Sequence, residues 1–329
     1  MKNPVIALVL TLCAIPATAQ GSKFNVNCDK GEKINKLLNT ITKAGAVPPV
    51  TINVSGTCKE SVLIQNFDRL TLNAKPGAVI SGPSKDVNAA VTITNSAFVA
   101  LQGFLIQSGF YGVACVENSV CHLAGLTVEN ATNEGVRYSR AGGTVDTTVF
   151  QNNAGRGLNV VNGSRVLVLG GTSQGNGDVG VAVVSGSNLT IFHATIQNNA
   201  GSGVVAMVGS TVRLFDNTIS GNAGNGISLF SQSSGSLEQD VTGNVVTGNV
   251  GVGVVLRDLS FARFFDTNNV SGNLTQPDVA CRPQFTATSG AGTVGGTTDC
   301  VEPDGPEAGL GSEKPGVHHN PGLKASQRN

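Results

Sequence analysis

Glycine recurs through the middle of the chain at an almost fixed interval. Gly112, Gly135, Gly157, Gly180, Gly203, Gly226 and Gly253 each follow a polar turn, at separations of 23, 22, 23, 23, 23 and 27 residues. A period of this size marks a solenoid, because so short a unit cannot bury its own apolar face and must stack on copies of itself. The 43 glycines of the 329-residue chain exceed the usual share of about 7% and lack the three-residue period of collagen, so the turns of a repeat account for them.

Two coils show what the unit contains. Val181 to Phe192 and Val204 to Phe215 each read as a short strand, a Gly-Ser turn and a second short strand, and each coil closes through a third apolar position, Ile196 or Ile219. Valine, isoleucine, threonine and phenylalanine favour strands, and the Gly, Asn and Ser clusters between them are turn chemistry. No segment of helical length fits inside a coil. Leucine-rich repeats share the period but need a dense leucine consensus closing on asparagine, which is missing. Three strands per coil, each pairing in parallel with its counterpart one coil along at about 4.8 Å, satisfy the backbone. The reading is an all-β parallel β-helix of about nine coils.

A column of asparagines supports the register. Asn153, Asn176, Asn199, Asn222 and Asn249 each lie four residues before a repeat glycine. Stacked amides can pass hydrogen bonds from coil to coil, and asparagine tolerates the left-handed backbone of tight turns.

The ends differ from the middle. Residues 1–19 have the form of a removable secretion signal: Lys2, an apolar run from Val5 to Ile15, then Ala17-Thr18-Ala19. That run is shorter than the roughly 20 apolar residues a membrane-spanning helix needs. A secreted or periplasmic protein is expected. Residues 20–65 read as an N-terminal cap with the first strands, since Ile34, Leu37, Leu38 and Ile41 form a helical stripe suited to covering the open end of the first coil. Coils occupy 66–276, and 277–301 forms a C-terminal cap with a disulfide loop. Residues 302–329, rich in Pro, Gly and charge, read as a disordered tail.

Loss of the signal removes Cys13 and leaves Cys28, Cys58, Cys115, Cys121, Cys281 and Cys300, an even set suited to an oxidising compartment. Pairing neighbours gives Cys28–Cys58, Cys115–Cys121 and Cys281–Cys300, one of about 15 possible connectivities. Formal charge balances at 21 against 21, which points away from nucleic acid as a partner.

From Ile52 to Gln276 the coils resemble the pectate-lyase-like superfamily of right-handed β-helix repeat proteins. The segment Val54-Ser-Gly-Thr-Cys-Lys-Glu-Ser-Val62 resembles the Gly-Thr-Tyr-x-Glu-x-Val entry of pectin methylesterases, with Cys58 in place of the tyrosine. The resemblance implies the right-handed fold and a carbohydrate partner. It implies no reaction, because the catalytic motifs of the well-known branches are missing: no Arg-Pro-Trp of pectin methylesterase, no Asn-Thr-Asp or Gly-His-Gly of polygalacturonase, no Asp-Pro-His of mannuronan epimerase.

Charges are few, yet some stack. Arg213-Leu-Phe-Asp216 and Arg263-Phe-Phe-Asp266 are near copies at one coil position, His193 falls in the Asp216 column one coil earlier, and Glu238 and Asp240 lie in the coil between, displaced by a four-residue insertion. Alternation turns both arginines outward. Carboxylates this close would repel unless Ca²⁺ or the arginines relieved them, which nominates Asp216, Asp240 and Asp266 as metal ligands. Arg213, Glu238, Asp240 and Arg263 would hold an acidic sugar, the arginines pairing with its carboxylate. In a lyase or epimerase, His193 or an arginine would then remove the proton beside that carboxylate, with Asp216 and Asp266 completing the catalytic set. The competing reading is a solvated face whose alternating charges stabilise stacked strands. Glu134, Arg137, Tyr138 and Arg140 form a second polar cluster that could extend a sugar-binding track.

Two functional classes follow. One is a protein that binds acidic polysaccharide, with cleavage or modification of lyase or epimerase type as its catalytic form. The other is a non-catalytic surface or adhesion module that presents a rigid solenoid to partners.

Overall fold

The structure, a computed structural model, describes residues 21–83, 88–265, 267–281, 287–289, 293–294 and 296–300. The expected signal, the expected tail and Asp266 lie outside these residues. Each coil runs through three parallel strands. In one coil these are Val204–Met207, Thr211–Phe215 and Thr218–Ser220, which belong to a first, second and third sheet respectively. Among the described residues the three sheets hold ten, twelve and eleven strands, all paired in parallel with the same strand one coil along. The stack thus has about ten coils, in line with the repeat read from the sequence. Stacking starts early because Ser22–Asn27 already pairs with Val50–Ser55, and it continues beyond Gln276 through Val279–Cys281.

Alternation within each short strand sends one set of side chains to the axis. Val212 and Leu214 of Thr211–Phe215 are fully buried, as are Ile191 and Leu237 on the neighbouring rungs. One apolar cluster runs through the solenoid from Val26 to Cys281. The capping helix Ile34–Ala44 buries Ile34, Leu38 and Ile41 against it, while Leu37 is only partly covered. Glu60 anchors the start of this helix by accepting the backbone N–H groups of Ile34 and Asn35 at 2.8 and 3.2 Å, a favourable place for an anion.

Polar corners are satisfied by ladders. Asn153, Asn176, Asn199, Asn222, Asn249 and Asn273 are all buried, and each side-chain carbonyl from Asn176 onward accepts both the backbone N–H and the amide of the asparagine before it. The Asp278 carboxylate terminates the series by accepting from Asn273. A second ladder, Asn217 to Asn244 to Asn268, lines the corner between the second and third sheets. Buried polar groups cost little when every donor has an acceptor.

The repeat glycines serve close packing at the same corners. A Cβ on Gly203 would sit 2.8 Å from the backbone oxygen of Gly226 and 2.9 Å from the amide nitrogen of Asn222. The disulfides join Cys28 to Cys58, Cys115 to Cys121 and Cys281 to Cys300.

Candidate functional site

The charged column lies on the outward face of the second sheet. Arg213, Ser236 and Arg263 are register partners, so the two arginines stand two rungs apart, about 10 Å. They therefore do not converge on one sugar carboxylate. Arg213 is already engaged: its Nε and Nη2 each donate to Glu238 at 2.8 Å, and Ser236 Oγ donates to the same carboxylate at 2.6 Å. The guanidinium beside it holds the Glu238 carboxyl below the ordinary range, against the opposing effect of burial.

Asp216 has another structural task. Its side chain is only 3% exposed, and its two oxygens accept the backbone N–H groups of Asp240, Val241, Thr242 and Gly243 at 2.6–3.2 Å. These residues are the four-residue insertion, which Asp216 gathers into a loop. Burial pushes its pKa up, but the four donors prevail and hold it below the usual carboxylate value. His193, half exposed, lies 3.4 Å from Asp240 and 3.9 Å from Asp216. The ligand atoms of these three residues fall within 4.8 Å of one another. The structure thus groups Asp216 and Asp240 with His193, while Glu238 turns to Arg213.

Aromatic rings fill the adjacent column. Phe192 and Phe215 stack face to face at 4.4 Å, and the guanidinium of Arg213 covers the Phe215 ring at 5.0 Å. Arg263 lies over Phe265 at 5.5 Å in the same way. Ring faces are turned along the axis onto each other and onto arginine, which leaves their edges to solvent.

The first sheet is built differently. Its outward column passes through Ala114, Arg137, Asn159, Ala182, Val205, Ser228, Val255 and Ala280. Outward residues of a solenoid strand ordinarily meet water, yet Asn159, Ala182, Ser228, Val255 and Ala280 are at most 1% exposed. Asn133 and Arg156 from the corner on one side and Asn162 and Ser185 from the other line a single pocket with Asn159. The outer face is therefore recessed over a run of small side chains, and Arg137, the one charged residue of this column, lies with Asn159 near the middle of the ten-stranded sheet.

At this height the face forms a polar pocket of about 360 Å³ lined by Arg137 and Asn159. Glu134, 6% exposed, receives Arg137 Nη1 at 3.0 and 3.2 Å and Asn159 Nδ2 at 2.5 Å. Arg156 donates to Asn159 at 3.1 Å and to Asp178 at 3.4 Å. Arg137 also lies 5.5 Å from the ring centre of Tyr111, whose hydroxyl burial pushes to a higher pKa while the guanidinium opposes the shift.

Of the second polar cluster read from the sequence, the pocket keeps Glu134 and Arg137 and loses two members. Tyr138 points to the axis, is fully buried and donates to the Cys121 carbonyl, because it sits one position after an outward residue. Arg140 turns away to pair with Glu117 through Nε at 2.9 Å. Arg156, Asn159 and Asp178 were not singled out in the sequence. For two of them the signal is positional: Arg156 and Asn159 stand beside Gly157 at the places that Glu134 and Arg137 hold beside Gly135 one coil earlier, whereas Asp178 lies two residues before Gly180, where Asn133 stands before Gly135.

Residues 86–246 match the family model described as right handed beta helix region. Among solved structures, the A-module of a mannuronan C-5 epimerase from Azotobacter vinelandii is similar at 16% identity, covering 82% of this chain and 91% of that one with a TM-score of 0.62. The enzymatically active domain of tailspike protein 2 of bacteriophage CBA120 is similar at 10% identity over 82% of this chain and 47% of that one, TM-score 0.63. ORF18 of Geobacillus virus E2 gives 11% identity over 82% and 61% of the two chains, TM-score 0.62. At these identities the likeness is one of fold. The sequence has no match among curated proteins.

Proposed function

From a chain that folds as a right-handed parallel β-helix, we propose binding of polysaccharide along the outward groove of its first sheet. The observation that carries this reading is the polar pocket around Arg137 and Asn159. Charged and amide side chains are held there in fixed geometry by one another, below walls that exclude part of the solvent. A pocket of about 360 Å³ lies in the range of small-ligand sites, and its polar lining suits a hydroxyl-rich ring better than an apolar molecule. The rung spacing of about 4.8 Å is close to the length of one sugar residue, so successive sugars can meet successive coils. A structure of the same fold is named a mannuronan C-5 epimerase, which adds support for a glycan.

Binding is the step these residues perform. Arg137 and Arg156 offer N–H groups not used by Glu134, Asn159 or Asp178, and the carboxylates accept sugar hydroxyls. Two cations and two anions leave the pocket close to neutral.

The test is retention of the purified protein on immobilised polyuronate and neutral glycans, with absorbance of unsaturated products followed in parallel. The double variant Arg137→Ala, Arg156→Ala should lose retention while its circular dichroism stays that of the native protein. Retention equal to the native protein, with the fold intact, would remove the groove from consideration and leave the adhesion reading.

A further inference from the structure

Lysine is confined to one end of the solenoid. Between Lys85 and Lys314 the chain contains none, although that stretch holds most of the coils. Residues 21–83 carry eight basic and four acidic side chains, a net of +4, whereas residues 88–300 carry eight and twelve, a net of −4. A molecule with no net charge is thus strongly polarised along its axis.

The cap concentrates this charge on one surface. Lys33, Lys36, Thr40 and Lys43 are exposed and spaced i, i+3, i+7 and i+10, which places them on one stripe of the capping helix, opposite Ile34, Leu38 and Ile41. With Asn35, Asn39 and Glu60 the stripe lines a shallow depression of about 640 Å³. A neighbouring depression adds Lys30. Among the described residues no lysine takes part in an ion pair, and the ion pairs found there use arginine or histidine. Two acids line these depressions: Glu60 is committed to the helix N-terminus, and Glu32 accepts the backbone N–H of Asn27 at 2.6 Å. Lys33 alone has a hydrogen bond, donating to the Lys59 carbonyl at 3.0 Å. Four lysines thus face two acids that are held by backbone N–H groups, and the stripe keeps an excess of positive charge.

We infer that the N-terminal cap is a second, electrostatic docking surface for an anionic glycan, with a polyuronate as its chemical class. Charge complementarity selects the partner, and the anionic coils orient it, since a polyanion is attracted to the cap and repelled elsewhere along the solenoid. Carboxylates spaced along a flexible chain match ammonium groups spaced along a helix without demanding fixed geometry, which suits lysine better than arginine. This surface goes beyond the groove, whose own charges nearly cancel. The cap captures the polymer, and the groove reads its sugars.

The experiment uses the native protein, the triple variant Lys33→Gln, Lys36→Gln, Lys43→Gln, and the groove variant Arg137→Ala, Arg156→Ala. Each is titrated with polygalacturonate, with uncharged dextran and with phosphatidylglycerol vesicles, at low salt and at about 0.5 M salt, where screening shrinks below the size of the stripe. Glutamine preserves helix propensity, and melting curves report folding. The expected result is a loss of about tenfold in affinity for polygalacturonate in the triple variant, with native binding equally weakened by salt and dextran indifferent to the lysines. Native affinity for polygalacturonate in the triple variant overturns the inference, whatever the groove variant does. Preference of the native protein for the vesicles overturns the choice of partner. Loss in the groove variant alone leaves the groove standing and removes the cap.

Discussion

The outward faces of the first and second sheets rest on the same inner stack, yet they handle charge in opposite ways. On the second sheet Arg213 is spent on Glu238, Asp216 on four backbone N–H groups, and Phe192 and Phe215 on each other. On the first sheet Glu134 and Asn159 lie buried on an outward face, with arginines above them that keep spare donors. Charges that stack on a flat exposed face satisfy each other. A recess is needed before charges can be fixed and remain available to something else.

The largest expected effect tests what the two faces share. Asn199→Ala leaves the buried backbone N–H of Asn176 without its acceptor and takes one of three acceptors from the Asn176 amide, which keeps the Phe150 carbonyl and Ser173 Oγ, and this should cost about 3 kcal/mol. Calorimetry should show a fall in melting temperature of about 6–10 °C, and both faces should suffer alike. A shift below a degree would show that the inner ladder is not what holds them.

Next comes the division of labour between the faces. The groove variant Arg137→Ala, Arg156→Ala should abolish glycan retention, whereas Arg213→Ala should leave it unchanged. The reverse pattern would move the site to the second sheet, where His193, Asp216 and Asp240 would become its chemistry.

Acid should separate the faces further. Asp216 and Glu238 both titrate below their ordinary values when folded. The stability they provide is therefore present above the normal carboxylate range and is lost as pH falls through their lowered folded values. Asp216→Asn should flatten the part of the melting profile below about pH 4, because the amide cannot gather the loop as the carboxylate does. A profile with unchanged slope would mean that Asp216 is replaceable.

The smallest effect belongs to the exposed pair itself. Arg213→Ala should change stability by at most about 1 kcal/mol, seen as a shift of about 2–4 °C in melting temperature. A larger loss would mean that its cover over Phe215 matters more than its charge.

Most of the fold was legible because its cause is periodic. The glycine and asparagine columns fix the register, and once the register is known, alternation assigns inside and outside. The groove was not legible for the same reason. Alternation labels Asn159 and Ala182 outward, and outward is read as exposed; only the height of the neighbouring corners turns that face into a recess. A trace was present in the sequence, since the column from Ala182 through Val205, Ser228 and Val255 to Ala280 is small or apolar where a wet face would be polar. Tyr138 shows the converse: grouped by its hydroxyl with charged neighbours, it belongs by alternation to the core. Asp216 could be placed in its column from spacing alone. That its oxygens face backbone amides of the next coil depends on how an insertion folds.

That insertion separates Gly226 from Gly253 by 27 residues where 23 or 22 is the rule, yet Asn217 still reaches Asn244 and Asn222 still reaches Asn249. Extra length therefore leaves the cylinder at a corner, tied off by one carboxylate, and the stack closes beneath it undisturbed. Such a corner is a splice point: foreign peptide inserted between Asp240 and Gly243 would be displayed at a known height on a rigid rod, and the rod would not have to be redesigned to carry it.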